Sequence, residues 1–173
     1  MYPPRGTYGP RVQRDYQLVL LHRGEVDVNI HEEPHHLAAG EVALLKPGHR
    51  EYFQFARETE SHHSWLAITR PPLPPPELAA LDTAPFALPI SPAMANLMAA
   101  GLAARQTLAA PQVALVPLVT TALALYVAEA RAQGVAGHAP REHPAVASAR
   151  ALVRSRLHER ITLPDLATAA HVA

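Results

Sequence analysis

The chain has 173 residues, 49% of them apolar, and its 15 Lys and Arg balance 15 Asp and Glu; this suits a packed domain plus a smaller unit and argues against disorder over most of the length. A formal charge of zero at pH 7 excludes a whole-chain basic field for nucleic acid or anionic membrane, so either role has to be local. The lack of cysteine excludes disulfide scaffolds, thiolate nucleophiles and thiolate metal sites.

The opening stretch, "MYPPRGTYGPRVQ", lacks the basic-then-apolar order of a signal peptide, which points to a cytoplasmic protein. Its prolines and aromatics suit an arm, with Tyr2 and Tyr8 either folded over a neighbouring mouth or disordered. From Tyr16 to Thr69 short apolar runs alternate with turn residues. "YQLVLLHRGEVDVNI" gives a strand, a turn at Arg23-Gly24 and an alternating strand through Val26, Val28 and Ile30. "HLAAGEVALLKPGHREYFQF" adds a turn at Ala39-Gly40, a strand through Leu44 and Leu45, a turn at Pro47-Gly48 and a strand with Tyr52, Phe53 and Phe55; "HHSWLAI" closes the series. Five or six strands at this spacing predict a small antiparallel barrel or jelly roll.

"RPPLPPPELAALDTAPFALPISP" holds too much proline for a central strand or helix interior and reads as a semi-extended surface strap, or alternatively as a proline-rich ligand for an SH3-like groove. Ser91 and Pro92 then make a helix cap and first position. One helix is predicted from Pro92 to Leu108 and a second from Gln112 to Gln133, an antiparallel hairpin ending at Gly134. Within the second, Val113 to Ala130 is apolar enough to suggest a membrane span; Pro117, two threonines and Glu129 favour a buried helix instead. Leu115, Leu118, Ala122, Leu125 and Glu129 fall near a heptad-like seam, with Val119 and Tyr126 beside it. Burial against the strands and dimerisation both remain open for a helix apolar nearly all round.

"GVAGHAPREH" reads as a flexible linker. Pro144 begins a helix with Val146, Ala149, Val153 and Leu157 on one stripe and arginines spread around it, a mild basic bias. Thr162, three residues before Asp165 and with Pro164 in the first turn, marks the start of another short helix, about Leu163 to Ala170.

This order of barrel, hairpin, linker and "HPAVASARALVRSRLHERITLPDLATAAHVA" resembles the AraC family of bacterial transcription regulators, and "ITLPDLATAAHVA" matches the start of that family's first helix-turn-helix. The resemblance implies an α+β fold: a cupin-like effector-binding domain with arm and strap (1–92), a helical hairpin for dimerisation (93–134), a linker (135–143) and the incomplete start of a DNA-binding domain (144–173). A helix-turn-helix reads bases with its second helix. The chain carries the supporting helix, so by itself it is expected not to recognise an operator. The partners implied are a small polar effector such as a sugar, a second copy through Leu115, Leu118, Ala122, Leu125 and Tyr126, and DNA through the remaining C-terminal part, with no membrane.

Cupin enzymes hold a metal with histidines and one carboxylate. Aligned on Gly24 and Gly48, those positions carry Arg11, Gln13, Gln17 and Glu51, none of them histidine, so the resemblance implies neither metal nor cofactor and no enzymatic activity. The adjacent pairs His35-His36 and His62-His63 point to opposite faces of a strand and cannot chelate one ion together, although a cross-strand site such as His22 with His63 stays open. In sugar-responsive members of the family the ligand lies inside the barrel, stacked on a tryptophan and held by an arginine, a histidine and the arm; Arg23, His63 and Trp65 fall on matching positions. His63 and Trp65, two apart, share one strand face. Tyr16, Gln17, Glu51 and Phe53 are further candidates from neighbouring strand positions. The rival readings are a metal-dependent cupin enzyme, of sugar isomerase or dioxygenase type, and a barrel that binds nothing and serves only to dimerise.

Overall fold

The computed structural model describes residues 1–107, 109, 111–136, 162 and 165. The chain divides into two compact units, Met1–Gly134 and Val135–Ala173. The first begins with seven strands, β1 (Thr7–Val12), β2 (Tyr16–Arg23), β3 (Glu25–Ile30), β4 (Glu33–Ala38), β5 (Glu41–Leu45), β6 (Arg50–Phe55) and β7 (His62–Ile68). There follow helix α1 (Pro75–Thr83), strand β8 (Ala87–Pro89), and helices α2 (Pro92–Thr107) and α3 (Pro111–Ala136).

All the strand pairs are antiparallel, in two four-stranded sheets ordered β1-β6-β3-β4 and β7-β2-β5-β8. This is the α+β, cupin-like sandwich of strands with a helical hairpin that the sequence predicts. The arm supplies more than a loose lid: Thr7–Val12 pairs with β6, and Tyr2 bridges to Ser61. At Gly24 a positive φ of 81° and an added Cβ only 2.7 Å from Ser61 Oγ leave room for glycine alone. The β3–β4 turn instead uses His31 and Glu32 at φ 50° and 72°, without any glycine, asparagine or aspartate to signal it.

The two faces of β2 divide the interior. Leu18 and Leu20 point to the helices and join Val42, Leu44, Leu66, Leu81, Met94, Met98 and α3's Val119, Ala122, Leu123, Tyr126 and Val127 in one buried core. Leu21 points the other way, into a second cluster between the sheets with Val26, Val28, Leu37, Leu45, Phe53 and Phe55. Each fully buried leucine contributes about 1.5–3 kcal/mol. Gly101 of α2 lies where a Cβ would be 3.0 Å from Leu66 Cδ2, which lets the helix approach β7 closely.

Two expectations are corrected. The proline-rich strap contains a helix, α1, because Pro75 and Pro76 occupy its first turn, where a missing N–H costs nothing; Lys46 Nζ donates to its terminal carbonyls on Asp82 and Ala84, both at 2.8 Å. On α3, Ala122 and Tyr126 are fully buried in the core, and Tyr126 donates its hydroxyl to the Pro85 carbonyl at 2.9 Å, so neither is free to meet a second copy. Leu125 packs at the edge of the same core. By length and composition Pro111–Gly134 could cross a membrane, with a mean hydropathy of 1.8, yet one side of it is that core.

Ser91 caps α2 as expected, accepting from the Met94 N–H at 3.1 Å. In the second unit, Asp165 accepts from the Thr162 N–H at 2.8 Å and from its hydroxyl at 2.6 Å, the return half of a capping box. The predicted linker begins inside α3, which runs to Ala136; the rest of the linker, the helix from Pro144 and the rest of the helix-turn-helix segment lie outside the described residues.

Candidate functional site

Between the two sheets lies a cavity of about 290 Å³. Alternation along each strand builds it: Gln17, Val19 and Leu21 of β2, Ala43 and Leu45 of β5, and His63, Trp65 and Ala67 of β7 on one side, with Val26, Val28, Leu37, Phe53 and Phe55 on the other. Tyr2, Tyr8, Arg11 and Asp15, from the arm, β1 and the β1–β2 turn, complete the lining. Tyr8 and Trp65 are 45% and 50% exposed and mark its rim.

The arm is stacked into this wall. Tyr2 lies on Phe55 with ring centroids 3.8 Å apart and planes within 9°, and beside His63 at 5.6 Å. Burial holds His63 below the ordinary imidazole pKa, helped by the amino terminus, His22 and His62, and its Nδ1 is buried without a hydrogen-bond partner. Burial likewise raises the Tyr2 phenol.

At the polar end, Arg11 is held by two rings, a carboxylate and an amide. Its guanidinium lies 5.0 Å from the Tyr8 ring and 5.4 Å from the Phe53 ring. Nε donates to Glu51 Oε2 at 3.1 Å, and Nη2 reaches the same oxygen at 2.9 Å and Gln17 Oε1 at 3.2 Å. Gln17 Oε1 also accepts from Gln13 Nε2 at 2.9 Å. The four positions that a cupin would give to metal ligands therefore do converge, around a guanidinium. A cation already sits among these donors, and two neutral amides with one carboxylate do not suit iron, manganese or zinc. Among the described residues no group of three or more His, Asp or Glu is arranged to hold a metal ion. His22 Nε2 bonds Ser64 Oγ at 2.6 Å, while His63 lines the cavity.

Of the residues singled out from sequence, His63, Trp65, Gln17 and Phe53 line the cavity, and Glu51 lies behind Arg11. Two do not take part. Tyr16 lies on the helix side of β2, where its hydroxyl donates to Asp82 Oδ1 at 2.9 Å, since Gln17 beside it takes the inward face. Arg23 is exposed at the end of β2, past a register shift between Leu21 and Arg23 that turns it away from the lining. Arg11 and Tyr2 join the lining from outside the effector candidates that the sequence offers: Arg11 is marked there by its shared cupin position with Gln17 and Glu51, Tyr2 only by its place in an aromatic arm.

Several known proteins are similar. The model of the AraC-like ligand binding domain matches residues 2–80. Among solved structures, apo ToxT K231A from Vibrio cholerae strain SCE256 is 10% identical with a TM-score of 0.49, covering 99% of this chain and 68% of that one. Wild-type ToxT of the same strain, with an unsaturated fatty acid bound, is 10% identical with a TM-score of 0.44, covering 99% and 66%. The chain thus spans about two thirds of the length of these proteins. No curated protein matches in sequence. Residues 2–80 are thus similar to the AraC-like ligand binding domain.

Proposed function

We propose that Met1–Gly134 is the effector-sensing unit of an AraC-type transcription regulator and that its effector is a small, largely apolar molecule held between the two sheets. The observation that carries this reading is the wall of the cavity: Val26, Val28, Leu37, Ala43, Leu45 and Phe55 enclose it away from the polar end. A polyol there would leave hydroxyls facing aliphatic side chains, at about 1–3 kcal/mol for each unpaired group. An apolar body with polar atoms at one end fits instead. ToxT, crystallised with an unsaturated fatty acid, is a distant parallel.

The regulatory step would be a shift between two arrangements of the whole protein, with ligand favouring one by about 1–3 kcal/mol. Tyr2, stacked on Phe55 and His63, makes the arm the natural reporter of an occupied cavity. The dimerisation role moves to the outer side of the hairpin, where Leu102, Val113 and Val116 are 39%, 80% and 44% exposed, with Leu115 and Leu118 partly buried beside them. DNA contact belongs, on the resemblance, to residues 144 onward, and a cytoplasmic setting follows from that role.

The test is a thermal-shift screen of the chain against apolar and amphipathic small molecules, with pentoses and hexoses alongside. A ligand at a hundred times its Kd is expected to add about 2.7 kcal/mol, or about 5–10 °C. Stabilisation by sugars alone would overturn the apolar reading, and no stabilisation by any class would favour a barrel that only dimerises.

A further inference from the structure

The polar end of the cavity holds an ion pair with an uneven balance. Glu51 is completely buried, and its two cross-strand neighbours are Arg11 on β1 and Ile30 on β3. Oε2 takes both bonds from Arg11, while Oε1 is buried with no partner. A carboxylate with one unsatisfied oxygen in such a place is expensive to keep ionised. Arg11, by contrast, is well supported: two aromatic rings and the Gln17 amide hold it with 27% of its side chain exposed, and it lines the cavity that Glu51 does not reach.

We infer that Arg11 is an acid-binding subsite, that Glu51 is its internal occupant, and that an effector's carboxylate takes the guanidinium from Glu51, which then accepts a proton from solvent. This rests on the cavity being the effector site and names the chemical class of the effector: a small apolar acid. The charges balance, because one anion enters and one is neutralised by one proton.

The groups facing Glu51 support the exchange. Arg11 is the charge acting on it; Gln13 and Gln17 are neutral, Ile30 is apolar, and Tyr8 and Asp15 line the same mouth. Burial already lifts the Glu51 carboxyl to about 7 against the pull of Arg11. Removing that pull drives it higher, so the displaced side chain is neutral near pH 7–8.

The test uses the chain with octanoate and octan-1-ol as probes, titrated calorimetrically over about pH 6–9 in two buffers of different ionisation enthalpy. Octanoate is expected to bind more tightly than the alcohol, with uptake of about one proton per ligand near pH 8. Its Kd should be flat below about pH 7, where Glu51 is already protonated, and rise above it towards about tenfold per pH unit. Glu51→Gln should bind octanoate with no proton uptake and no such slope. Arg11→Met should weaken octanoate about tenfold or more and octan-1-ol far less. Equal binding of acid and alcohol without proton uptake would overturn the acid subsite while keeping the cavity as a ligand site; binding of neither probe would overturn both. The proton count is read on the parent protein, so it holds even where a variant fails to fold.

Discussion

The two faces of β2 differ in what lies against them. Leu20 and Leu21 are adjacent, chemically identical and both fully buried, yet Leu20 is sealed under α2 and α3 and Leu21 borders the cavity. One alternating strand builds a solid side that stabilises the unit and a hollow side that can be filled. On the proposed reading, the residues that carry function are those whose side chains the pleat sends to the hollow side.

The sharpest way to break this comparison is to truncate both leucines. Leu20→Ala should cost about 3–5 kcal/mol in denaturant unfolding, and Leu21→Ala about 1–2 kcal/mol less than that, because its neighbours already lack contacts on one side. Equal losses would mean that the interior between the sheets is as tightly filled as the helix-backed core. Gly24→Ala tests the turn between β2 and β3. With φ positive and Ser61 against the added Cβ, a loss of about 1–3 kcal/mol is expected.

Acidity separates the two sides further. Glu51's folded pKa is raised above its usual 4.5 to about 7, so the folded state keeps a proton that the unfolded chain has released between those values. Its contribution therefore falls as pH rises through that window. Glu51→Gln should melt above the parent at pH 8, with the gap closing towards pH 4.5. His63 and His49 work in the opposite sense: both are held below 6.5, chiefly by burial, so stability is lost as pH falls below 6.5. A melting profile for Glu51→Gln parallel to the parent's would show that Glu51 ionises normally in the fold. The smallest effect belongs to Tyr16→Phe, which removes one hydrogen bond to Asp82 and should cost about 0.5–1.5 kcal/mol with no change in ligand affinity.

Much of the architecture was legible because it follows from period and punctuation: the turns at Gly24, Gly40 and Gly48, the inward pair His63 and Trp65, and the Ser91 cap. Other features left no local signal. The His31-Glu32 turn lacks the residues that normally tolerate positive φ, and α1 hides behind a proline run whose last members sit in a helix's first turn. Tyr16 and Gln17 are neighbours on one strand, and the pleat allows only one of the two inside. Ala122 and Tyr126 could be read as seam or core from spacing alone, and only the sheet packed beneath them decides between the two. The sequence marks Arg11 by its position, and a side chain that is a poor metal ligand is a good anion ligand.

The central claim is that the space between the sheets receives the effector, and Trp65, the sole tryptophan, stands at its rim. The most direct measurement is its fluorescence during titration with octanoate, in the parent and in Ala43→Leu, whose added side chain fills the cavity from β5. The expected result is a saturable change in emission that Ala43→Leu weakens about tenfold or more while the fold is kept. The same saturable change in both proteins, or none in the parent, would contradict it.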